Sequence, residues 1–451
     1  MLKKIVIIGA GSAMFTQGLV IDLLKNPCGF QWHLCLVDID GQTLEAISKL
    51  VEKMLLAKGA DILLTSTTDR CEVLPGADYV ITTIGVGGRR AWEQDVFIPR
   101  KYGVNQPVGD TAMPGGISRA MRMIPAMLDI ANDIQQLCPD AYFFNYANPM
   151  TANCRAIRKK TASPVVGLCH GVHHCEAYLA QFAGLEKHAL TARAVGVNHL
   201  TFLYDIRNNG RDIRPLLRQK LAEIKAAATG RTHATVYKPQ EQVPAELDEP
   251  FSWEIFDRFA AFPAPGDRHI TEFLVEHFPG GSYYGKTLGY DAYSFEKTIK
   301  YGDRIHAEMI RLGQSTQPLP DDFFSMVSGE HEQLMDIIDA IEHDRHSFFS
   351  VNLPNEGAVK QFPASAVLEM PAIAMAGGLK PLQLDDFPDD LAALIQRPLA
   401  IVEMTVEAAL TGNRHLMEEA ILMGGYLSDA AAVARMTDEL LKAQKSYLPQ
   451  F

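Results

Sequence analysis

The fold is decided by the first eighteen residues, which read Met1-Leu-Lys-Lys-Ile5-Val-Ile-Ile-Gly9-Ala-Gly11-Ser12-Ala-Met14-Phe-Thr-Gln-Gly18. Ile5 to Ile8 is an unbroken β-branched run, which is typical of a strand buried on both faces of a parallel sheet. Gly9 and Gly11 can adopt positive φ angles and let the backbone approach a pyrophosphate, and the helix that follows would direct free N–H groups at the same anion. The stretch therefore predicts a strand, a glycine turn and a helix that together bind a dinucleotide.

The second strand supports this prediction. It is expected within residues 33–40, and near its end lies Asp38, whose carboxylate would hydrogen-bond the adenosine ribose. Asp38 lies further downstream than is usual, so we expect a long first helix or a loop before this strand. The third position of the G-x-G-x-x-G pattern is Met14, which leaves open a Rossmann-like fold that binds another metabolite or a phosphate without nicotinamide. The residues assigned to the dinucleotide are Gly9, Gly11, Ser12 and Asp38.

Length, charge and cysteine content limit the class of protein. The chain has 451 residues, 47% of them hydrophobic, which is enough to build two or three lobes. A net charge of −12 argues against binding to nucleic acid or to an anionic membrane. The chain begins directly with a strand and contains no apolar run of membrane-spanning length, so we expect a cytoplasmic protein. Its seven scattered cysteines, with no C-x-x-C pair, predict reduced and mostly buried thiols.

The alternation of strands and helices divides the chain in two. It continues to about residue 190 and then breaks down, which predicts a nucleotide-binding Rossmann domain over residues 1–190 and a mixed α+β domain over residues 191–451. In the second domain we expect a strand over residues 194–206, followed by a hairpin turn at residues 207–210. The C-terminal third is predicted to be helical apart from a break at residues 351–357.

Polar residues cluster in loops that follow the predicted strands, where an open parallel sheet binds its ligands. Cys169 and His199 could together hold one divalent ion and leave positions for the hydroxyl groups of a substrate. The alternative is a buried thiol and a core histidine. The neighbouring candidates for acid and base chemistry are Asp110, Asn148, His170, Asp267 and His269. A dinucleotide beside such a site predicts hydride transfer on a substrate that carries hydroxyl groups.

Six motifs, in order, make the chain resemble glycoside hydrolase family 4, a family of glycosidases that depend on NAD and a divalent metal. The motifs are Gly9-Ala-Gly11-Ser12, Gly109-Asp110-Thr-x-x-Pro114-Gly-Gly-Ile117, Asn145-Tyr-x-Asn148-Pro149, Gly167-x-Cys169-His170, Gly196-x-Asn198-His199 and Gly266-Asp267-Arg268-His269-x-x-Glu272-Phe273. The resemblance implies a lactate/malate dehydrogenase-like Rossmann domain and a homodimer or homotetramer. It also implies a mechanism in which NAD oxidises C3 of the sugar, the aglycone is eliminated, water adds and NADH returns the hydride.

The resemblance assigns a role to each site residue. Cys169 and His199 would be ligands of Mn²⁺ or another divalent cation, and Asn148 would contact the substrate. His170 would be the acid that assists the leaving group. His269 would be the base that removes the C2 proton, and Asp110 would tune that base.

The resemblance also narrows the substrate. Family members that act on phosphorylated sugars carry an arginine where this chain has Trp92, whereas Asn352-Leu-Pro-Asn355-x-Gly357 and the motif around His269 favour α-galacturonides. Arg268 would then bind the C6 carboxylate, the alternative being a surface ion pair. An α-galactosidase or α-glucosidase of the same mechanism stays open. So do an NAD-dependent 2-hydroxy-acid dehydrogenase and a sugar sensor that binds NAD without turnover.

Overall fold

A computed structural model of the chain describes residues 1–12, 15–326 and 333–451, so Met14 lies outside the described residues. The strands are β1 (Leu2–Ile8), β2 (Gln31–Val37), β3 (Ile62–Thr67), β4 (Tyr79–Thr82), β5 (Tyr142–Asn145), β6 (Val166–Gly167), β7 (Leu190–Val197), β8 (Leu200–Asn208), β9 (Arg211–Asp212), β10 (Thr232–Ala234), β11 (Gln242–Pro244), β12 (Phe262–Ala264), β13 (Ser282–Tyr283), β14 (Lys286–Thr287), β15 (Ser347–Pro354), β16 (Val367–Met375) and β17 (Gly378–Pro381).

The helices cover both faces of this strand arrangement. They are α1 (Thr16–Lys25), α2 (Gly41–Lys58), α3 (Gly88–Arg100), α4 (Met113–Leu137), α5 (Met150–Lys160), α6 (Gly171–Ala183), α7 (Arg214–Ala227), α8 (Pro250–Phe259), α9 (Asp267–Ile270), α10 (Phe295–Gln314), α11 (Phe323–Met326), α12 (Leu334–Glu342), α13 (Asp389–Thr411), α14 (Arg414–Met423) and α15 (Ala430–Gln444). Among the described residues, none of these helices combines the length and the apolar content needed to cross a bilayer.

The N-terminal part is a Rossmann sheet, as predicted. Its strands lie in the order β3-β2-β1-β4-β5-β6, and all of these pairs are parallel. Ile5 to Ile8 of β1 are buried between β2 and β4, which explains why this strand carries no polar alternation. The loop of residues 26–30 between α1 and β2 accounts for the late position of Asp38.

The C-terminal strands extend the same sheet instead of forming a separate one. Asn352 of β15 pairs antiparallel with Gly167 of β6, and the sheet continues through β16, β7, β8 and β12 to a total of 13 strands. The domain boundary at residue 190 stays a prediction, and strands from both sides of it belong to one sheet. This continuity places loops from both halves of the chain at one edge.

Two expectations about the second half need correction. The stretch expected as one strand over 194–206 belongs to a hairpin of β7 and β8 whose turn is Asn198-His199, in addition to the predicted turn before β9. The C-terminal third, expected to be helical outside 351–357, contains the strands β15, β16 and β17. A short apolar run is compatible with either structure, and here pairing with β6 and β7, which are distant in sequence, favours the strand.

The cysteines follow the prediction with two exceptions. All seven are free, and five of them are buried. Cys71 is exposed, and Cys169 is only partly buried. Cys169 is therefore the partly accessible thiol at the edge of the sheet where β6 ends.

Candidate active site

The loop of residues 9–12, here called the glycine loop, has the shape of a nucleotide cradle. Gly9 has φ 95° and donates its N–H to Val37 O at 2.8 Å. The Gly11 N–H donates to Asp38 Oδ2 at 2.8 Å, and a Cβ on Gly11 would lie only 2.8 Å from that oxygen. Ser12 donates its N–H to Gly9 O at 3.0 Å and accepts the N–H of Phe15 on its side chain. The structure thus brings together all four residues that were predicted to bind the dinucleotide.

The glycine loop abuts the segment that follows β4. A Cβ on Gly9 would lie 2.8 Å from Ile84 N, so only glycine allows this close approach. One residue further on, a Cβ on Gly85 would lie 3.7 Å from Nη2 of Arg119, which belongs to α4. The glycine loop is therefore connected, through the segment after β4, to the second turn of α4.

A second group of polar residues lies at the same edge of the sheet. One possible ligand atom each from Asp110, His199 and His269 falls within 4.8 Å of the others, and we call these three residues the histidine cluster. The two imidazole rings lie 4.2 Å apart between centroids. Carboxylate and imidazole groups at this spacing could hold a divalent cation or move protons on a bound substrate.

His199 reaches the cluster because it occupies the β7–β8 turn. It has φ 70°, an unusual conformation for a residue other than glycine and one that often marks a functional position. The turn is anchored by Asn198, which donates its N–H to Thr151 Oγ1 at 3.0 Å and its side-chain amide to the buried Glu369 at 3.3 Å. The strained residue is thus held by buried hydrogen bonds on its N-terminal side.

Thr111 connects His199 to Asp110. Its hydroxyl donates to Asp110 Oδ1 at 2.8 Å and lies 2.9 Å from His199 Nδ1. If the single hydroxyl proton is given to the carboxylate, which can only accept, Nδ1 of His199 is the donor in the second bond. His199 is then the Nδ1–H tautomer, and its Nε2 carries the lone pair that a metal ion requires.

Burial keeps both cluster histidines neutral. It lowers the pKa of His199 to about 4, although Asp110 opposes the shift. Burial also lowers the pKa of His269 well below its ordinary value, with the neighbouring His199, Arg268 and His170 acting in the same direction. Both imidazoles are therefore unprotonated at neutral pH, as a metal ligand or a general base must be.

Asn148 joins the cluster through its side chain. Its Nδ2 donates to Asp110 Oδ2 at 3.0 Å, so the two oxygens of Asp110 are held by Thr111 and Asn148. Its Oδ1 is buried and has no hydrogen-bond partner among the described residues. A buried carbonyl oxygen without a donor is costly, which suggests that a ligand completes this position.

Cys169 and His170 lie at the start of α6. The Gly171 N–H donates to Cys169 Sγ at 3.4 Å. Cys169 is not a member of the histidine cluster, so the structure leaves its pairing with His199 as a prediction. His170, in contrast, is near enough to influence the pKa of both His199 and His269.

The segment of residues 266–272 carries His269 into the site. Asp267, which is fully buried, accepts the N–H groups of Phe251 and Ser252 at 2.8 and 2.7 Å and the Tyr283 hydroxyl at 2.6 Å. Asp267 is thus an anchor for this segment, and the sequence had suggested acid or base chemistry for it. Such an anchor holds the adjacent histidine in a fixed orientation.

Within the described residues, Arg268 does not form the surface ion pair that was its alternative role. Its Nη2 donates to Thr298 Oγ1 at 3.0 Å, and its Nε is buried with no hydrogen-bond partner among the described residues. No carboxylate forms an ion pair with Arg268 within that part of the chain. The guanidinium therefore keeps donors available for a ligand.

Sequence reasoning missed the roles of Thr111 and Glu272. Both stand in quoted motifs, but no local pattern distinguishes a threonine that connects two site residues or a glutamate that bridges two loops. Glu272 is buried and accepts the N–H groups of Val108 and Gly109, each at 2.8 Å on Oε1. It thereby ties the segment that carries His269 to the loop that presents Asp110.

Two family descriptions match almost the whole chain. "Family 4 glycosyl hydrolase" matches residues 4–185, and "Family 4 glycosyl hydrolase C-terminal domain" matches residues 194–424. Both halves of the site described above therefore fall within the matched ranges.

Similar proteins have several sugar specificities. An α-galactosidase of Rhizobium meliloti is 31% identical over 99% of this chain and 89% of its own length. An α-glucosidase of Erwinia rhapontici is 29% identical over 99% of both chains. An α-galacturonidase of Thermoanaerobacterium saccharolyticum is 28% identical over 98% of this chain and 95% of its own length.

The fold is shared with a 6-phospho-β-glucosidase of Thermotoga maritima, whose structure was solved with manganese, NAD⁺ and glucose-6-phosphate. That chain is 20% identical to this one, each chain is covered to 99%, and the TM-score is 0.80.

Proposed function

Because the chain belongs to family 4 of the glycosyl hydrolases and is a glycosidase, we propose that it cleaves α-glycosides with NAD and a divalent cation, and that α-galacturonides are its preferred substrates. The observation that carries the proposal is the position of the histidine cluster. Two neutral imidazoles, a carboxylate and an unsatisfied amide oxygen meet at the sheet edge that also forms the glycine loop.

The residues present fit both groups. The glycine loop leaves no room for a Cβ at Gly11 and aligns its backbone with Asp38, as a dinucleotide site requires. The Nε2 lone pair of His199 and the Oδ1 of Asn148 are available to a cation and a sugar. When bound, NAD⁺ supplies a temporary oxidation of the sugar and the cation withdraws electron density from the sugar oxygens.

The proton transfers fall to residues of this chain. Cys169 and His199 are proposed to hold the cation, which leaves His269 free to act as the base that takes the C2 proton. His269 suits this role because burial holds its pKa low and its ring nitrogen stays unprotonated. Asp110 accepts hydrogen bonds from Thr111 and Asn148, and it lies in the histidine cluster, where its charge would tune the base. His170, at the start of α6, is proposed to protonate the leaving group.

The preference for galacturonides rests on Arg268. Its buried Nε has no partner among the described residues, and a carboxylate at C6 of the sugar would supply one. Neutral α-galactosides and α-glucosides stay alternatives, because the relatives with those two names are 31% and 29% identical to this chain, compared with 28% for the α-galacturonidase.

A set of chromogenic glycosides tests the proposal. The purified protein is incubated with NAD⁺, Mn²⁺ and a reductant, and nitrophenol release is compared for 4-nitrophenyl α-galacturonide, α-galactoside and α-glucoside. We expect release from all that bind, the fastest from the galacturonide, and no net formation of NADH. Accumulation of NADH without nitrophenol would instead indicate a dehydrogenase.

The role of Arg268 is tested by Arg268→Met beside the matched control Arg311→Met, which removes an exposed arginine whose ion-pair partner among the described residues is Glu308 on its own helix. We expect the first variant to lose roughly 10- to 100-fold in kcat/KM on the galacturonide. Its loss on the galactoside should be much smaller. An equal loss on both substrates would reject the carboxylate contact.

A further inference from the structure

A row of buried polar residues crosses the sheet and connects the two halves of the chain. Its members are partners in successive strand pairs from β4 to β8, and those with a polar side chain are at most 2% exposed. The row consists of Thr82, Asn145, Gly167, Asn352, Glu369, Gly196 and Thr201. Glu369 of β16 is its one ionisable member, and it lies beside the turn that carries His199.

One carboxyl oxygen of Glu369 holds that turn on both sides. Its Oε2 accepts the side-chain amide of Asn198 at 3.3 Å and the Thr201 hydroxyl at 2.9 Å. Asn198 stands immediately before His199, and Thr201 stands two residues after it. The strained conformation of His199 is therefore enclosed between two hydrogen bonds to the same atom.

The remaining oxygens of the carboxyl and amide groups are without donors. Glu369 Oε1 and Asn198 Oδ1 are both buried, and neither has a hydrogen-bond partner among the described residues. A carboxylate and an amide oxygen only accept hydrogen bonds, so a proton on Oε1 is needed before these two atoms can satisfy each other. Without it, two buried acceptors stay unpaired next to each other's groups, which is unfavourable.

The surroundings of Glu369 favour the neutral acid. Burial raises the pKa of Glu369 to about 7, although its two hydrogen bonds act in the opposite direction. The titratable group near it on α6 is the Cys175 thiol, and burial raises the pKa of this thiol well above its ordinary value, so it is uncharged at neutral pH. The partners of Glu369 and Asn198 from β15 and α5 are Asn352 and Thr151, which carry no charge.

We propose that Glu369 is a positioning residue that acts as a neutral acid, and that it forms a two-point acid–amide pair with Asn198 that holds His199 in place for the cation. In this pair Oε1–H donates to Asn198 Oδ1 while Oε2 accepts from Asn198 Nδ2. Asn198 and not Asn352 is the acceptor, because the Asn198 amide already contacts the carboxyl group, whereas the Asn352 amide nitrogen lies 3.2 Å from Met150 Sδ. The inference rests on the proposed function, in which His199 is a ligand of the cation.

The pair makes the site sensitive to alkaline pH. When Glu369 loses its proton, the bond to Asn198 Oδ1 is lost and a charge appears in the interior of the sheet. The turn is then held less firmly, so the cation should bind more weakly and turnover should fall. Glu369→Gln removes this sensitivity, because the glutamine amide donates to Asn198 Oδ1, accepts from Asn198 Nδ2 and does not ionise.

The test compares wild type, Glu369→Gln, Glu369→Leu and the exposed control Glu223→Gln on the 4-nitrophenyl glycoside that the wild type cleaves fastest, with NAD⁺. The Kd for Mn²⁺ is measured on the same proteins by calorimetry. We expect the ratio of Glu369→Gln to wild type, in kcat/KM and in Mn²⁺ affinity, to be within about twofold of one at about pH 6 and to rise roughly tenfold by about pH 9. Glu369→Leu should lose roughly 10- to 100-fold in Mn²⁺ affinity at every pH, with the Kd for NAD⁺ unchanged. Glu223→Gln should match wild type throughout.

Two results would overturn the inference. A ratio of Glu369→Gln to wild type that does not change with pH would mean that no proton on Glu369 matters to the site. A glutamine variant that is already impaired at the acidic end would mean that the site needs the ionised carboxylate. Both results are readable from the glutamine variant alone, even if Glu369→Leu does not fold.

The proposed function can fail separately. If the wild type cleaves none of the glycosides but binds Mn²⁺, the calorimetric ratios still decide the role of Glu369. If the wild type binds no Mn²⁺, the positioning role is rejected together with the proposed cation site. The melting temperature then shows whether the acid–amide pair exists, since that of Glu369→Gln relative to wild type should rise between about pH 4.5 and pH 7 only if the folded protein keeps the proton.

Discussion

The glycine loop and the histidine cluster lie at one edge of one sheet, but the chain builds them in opposite ways. The loop is held mainly through its own backbone groups: the Gly9 N–H donates to Val37 O, the Gly11 N–H donates to the Asp38 carboxylate 27 residues away, and Gly9 O accepts the Thr83 hydroxyl at 2.8 Å. The cluster is assembled from three distant segments, and its central contact joins Thr111 and His199, 88 residues apart, through side chains. The glycine loop depends on backbone conformations that glycine permits. The histidine cluster depends on burial and on which atoms carry the protons of its hydrogen bonds.

This difference implies that the two regions should fail separately. Substitutions in the loop should weaken the binding of nucleotide and leave the cluster intact. Substitutions in the cluster should stop turnover and leave nucleotide binding intact. A substitution that damages both would mean that the two regions are more tightly coupled than their contacts suggest.

The largest effect is expected for His199→Ala. The variant removes the imidazole whose Nε2 is available to a cation, so we expect turnover of the best glycoside to fall by roughly 10³-fold or more. Calorimetry should show weaker Mn²⁺ binding, and the Kd for NAD⁺ should stay within about twofold. The control is His415→Ala, which removes a largely exposed histidine on α14. A comparable loss of NAD⁺ affinity would contradict the separation of the two regions.

Cys169→Ser distinguishes two possible ligand sets for the cation. The sequence predicts Cys169 with His199, whereas the geometry groups His199 with Asp110 and His269. We expect the serine variant to lose most activity, on the order of 10³-fold, and to bind Mn²⁺ more weakly while NAD⁺ still binds.

The exposed Cys71→Ser is the matched control for that variant. If Cys169→Ser turns over normally while His269→Ala loses Mn²⁺ binding, the cation is held by the histidine cluster, and Cys169 is only a thiol at the end of β6.

The glycine loop and the histidine cluster also differ in how far the sequence predicts their structure. β1, the glycine loop and Asp38 could be placed because an apolar run, two glycines and one acid within a short stretch determine the local structure. The parallel order of the first six strands follows from the same alternation.

The second half offered no such local pattern. The turn at His199 was hidden inside a continuous β-like run. The strands β15 to β17 fell in a region predicted to be helical apart from one break at residues 351–357, because they form by pairing with β6 and β7, which are far away in the chain. All three residues of the histidine cluster could be named from the motifs. The connection through Thr111 could not, because it depends on which of two neighbours receives one hydroxyl proton.

A smaller effect is expected for Gly11→Ala, which changes the glycine loop and leaves the histidine cluster unaltered. The added Cβ would lie 2.8 Å from Asp38 Oδ2 and from the Thr43 methyl, so the loop must shift away from its nucleotide-binding shape. We expect the Kd for NAD⁺ to rise roughly 10- to 100-fold, with turnover largely restored at saturating NAD⁺ and Mn²⁺ affinity unchanged. Gly377→Ala, where a Cβ meets nothing within 4 Å, is the control.

Thr111→Val tests the hydrogen bonds that connect Asp110 and His199. The valine keeps the shape of the side chain but removes the hydroxyl that connects Asp110 and His199 Nδ1. Losing a partner that orients a metal ligand typically costs 10- to 100-fold, and we expect about tenfold in both kcat/KM and Mn²⁺ affinity. Thr111→Ser retains the hydroxyl and should behave like wild type. If the serine variant is as impaired as the valine variant, packing of the methyl group and not the hydroxyl matters.

The smallest effect concerns stability, and it probes the glutamate that holds the cluster segments together. Burial raises the pKa of Glu272 to about 8, although the N–H groups of Val108 and Gly109 oppose the shift. The folded protein therefore keeps a proton that the unfolded chain loses near pH 4.5, so the contribution of Glu272 to stability is greatest below that pH and is lost as the pH rises to about 8. Glu272→Gln preserves the two hydrogen bonds to Oε1 and removes the titration.

We expect the melting temperature of Glu272→Gln, relative to wild type, to rise by a few °C between about pH 4.5 and pH 8 and to level off above that range. Differential scanning calorimetry over this range measures the difference, with the exposed helical Glu223→Gln as control. A difference that does not change with pH would mean that Glu272 stays ionised in the fold. The hydrogen bonds from Val108 and Gly109 would then be made to a buried carboxylate, and the histidine cluster would depend on a charge where the glycine loop depends on its backbone.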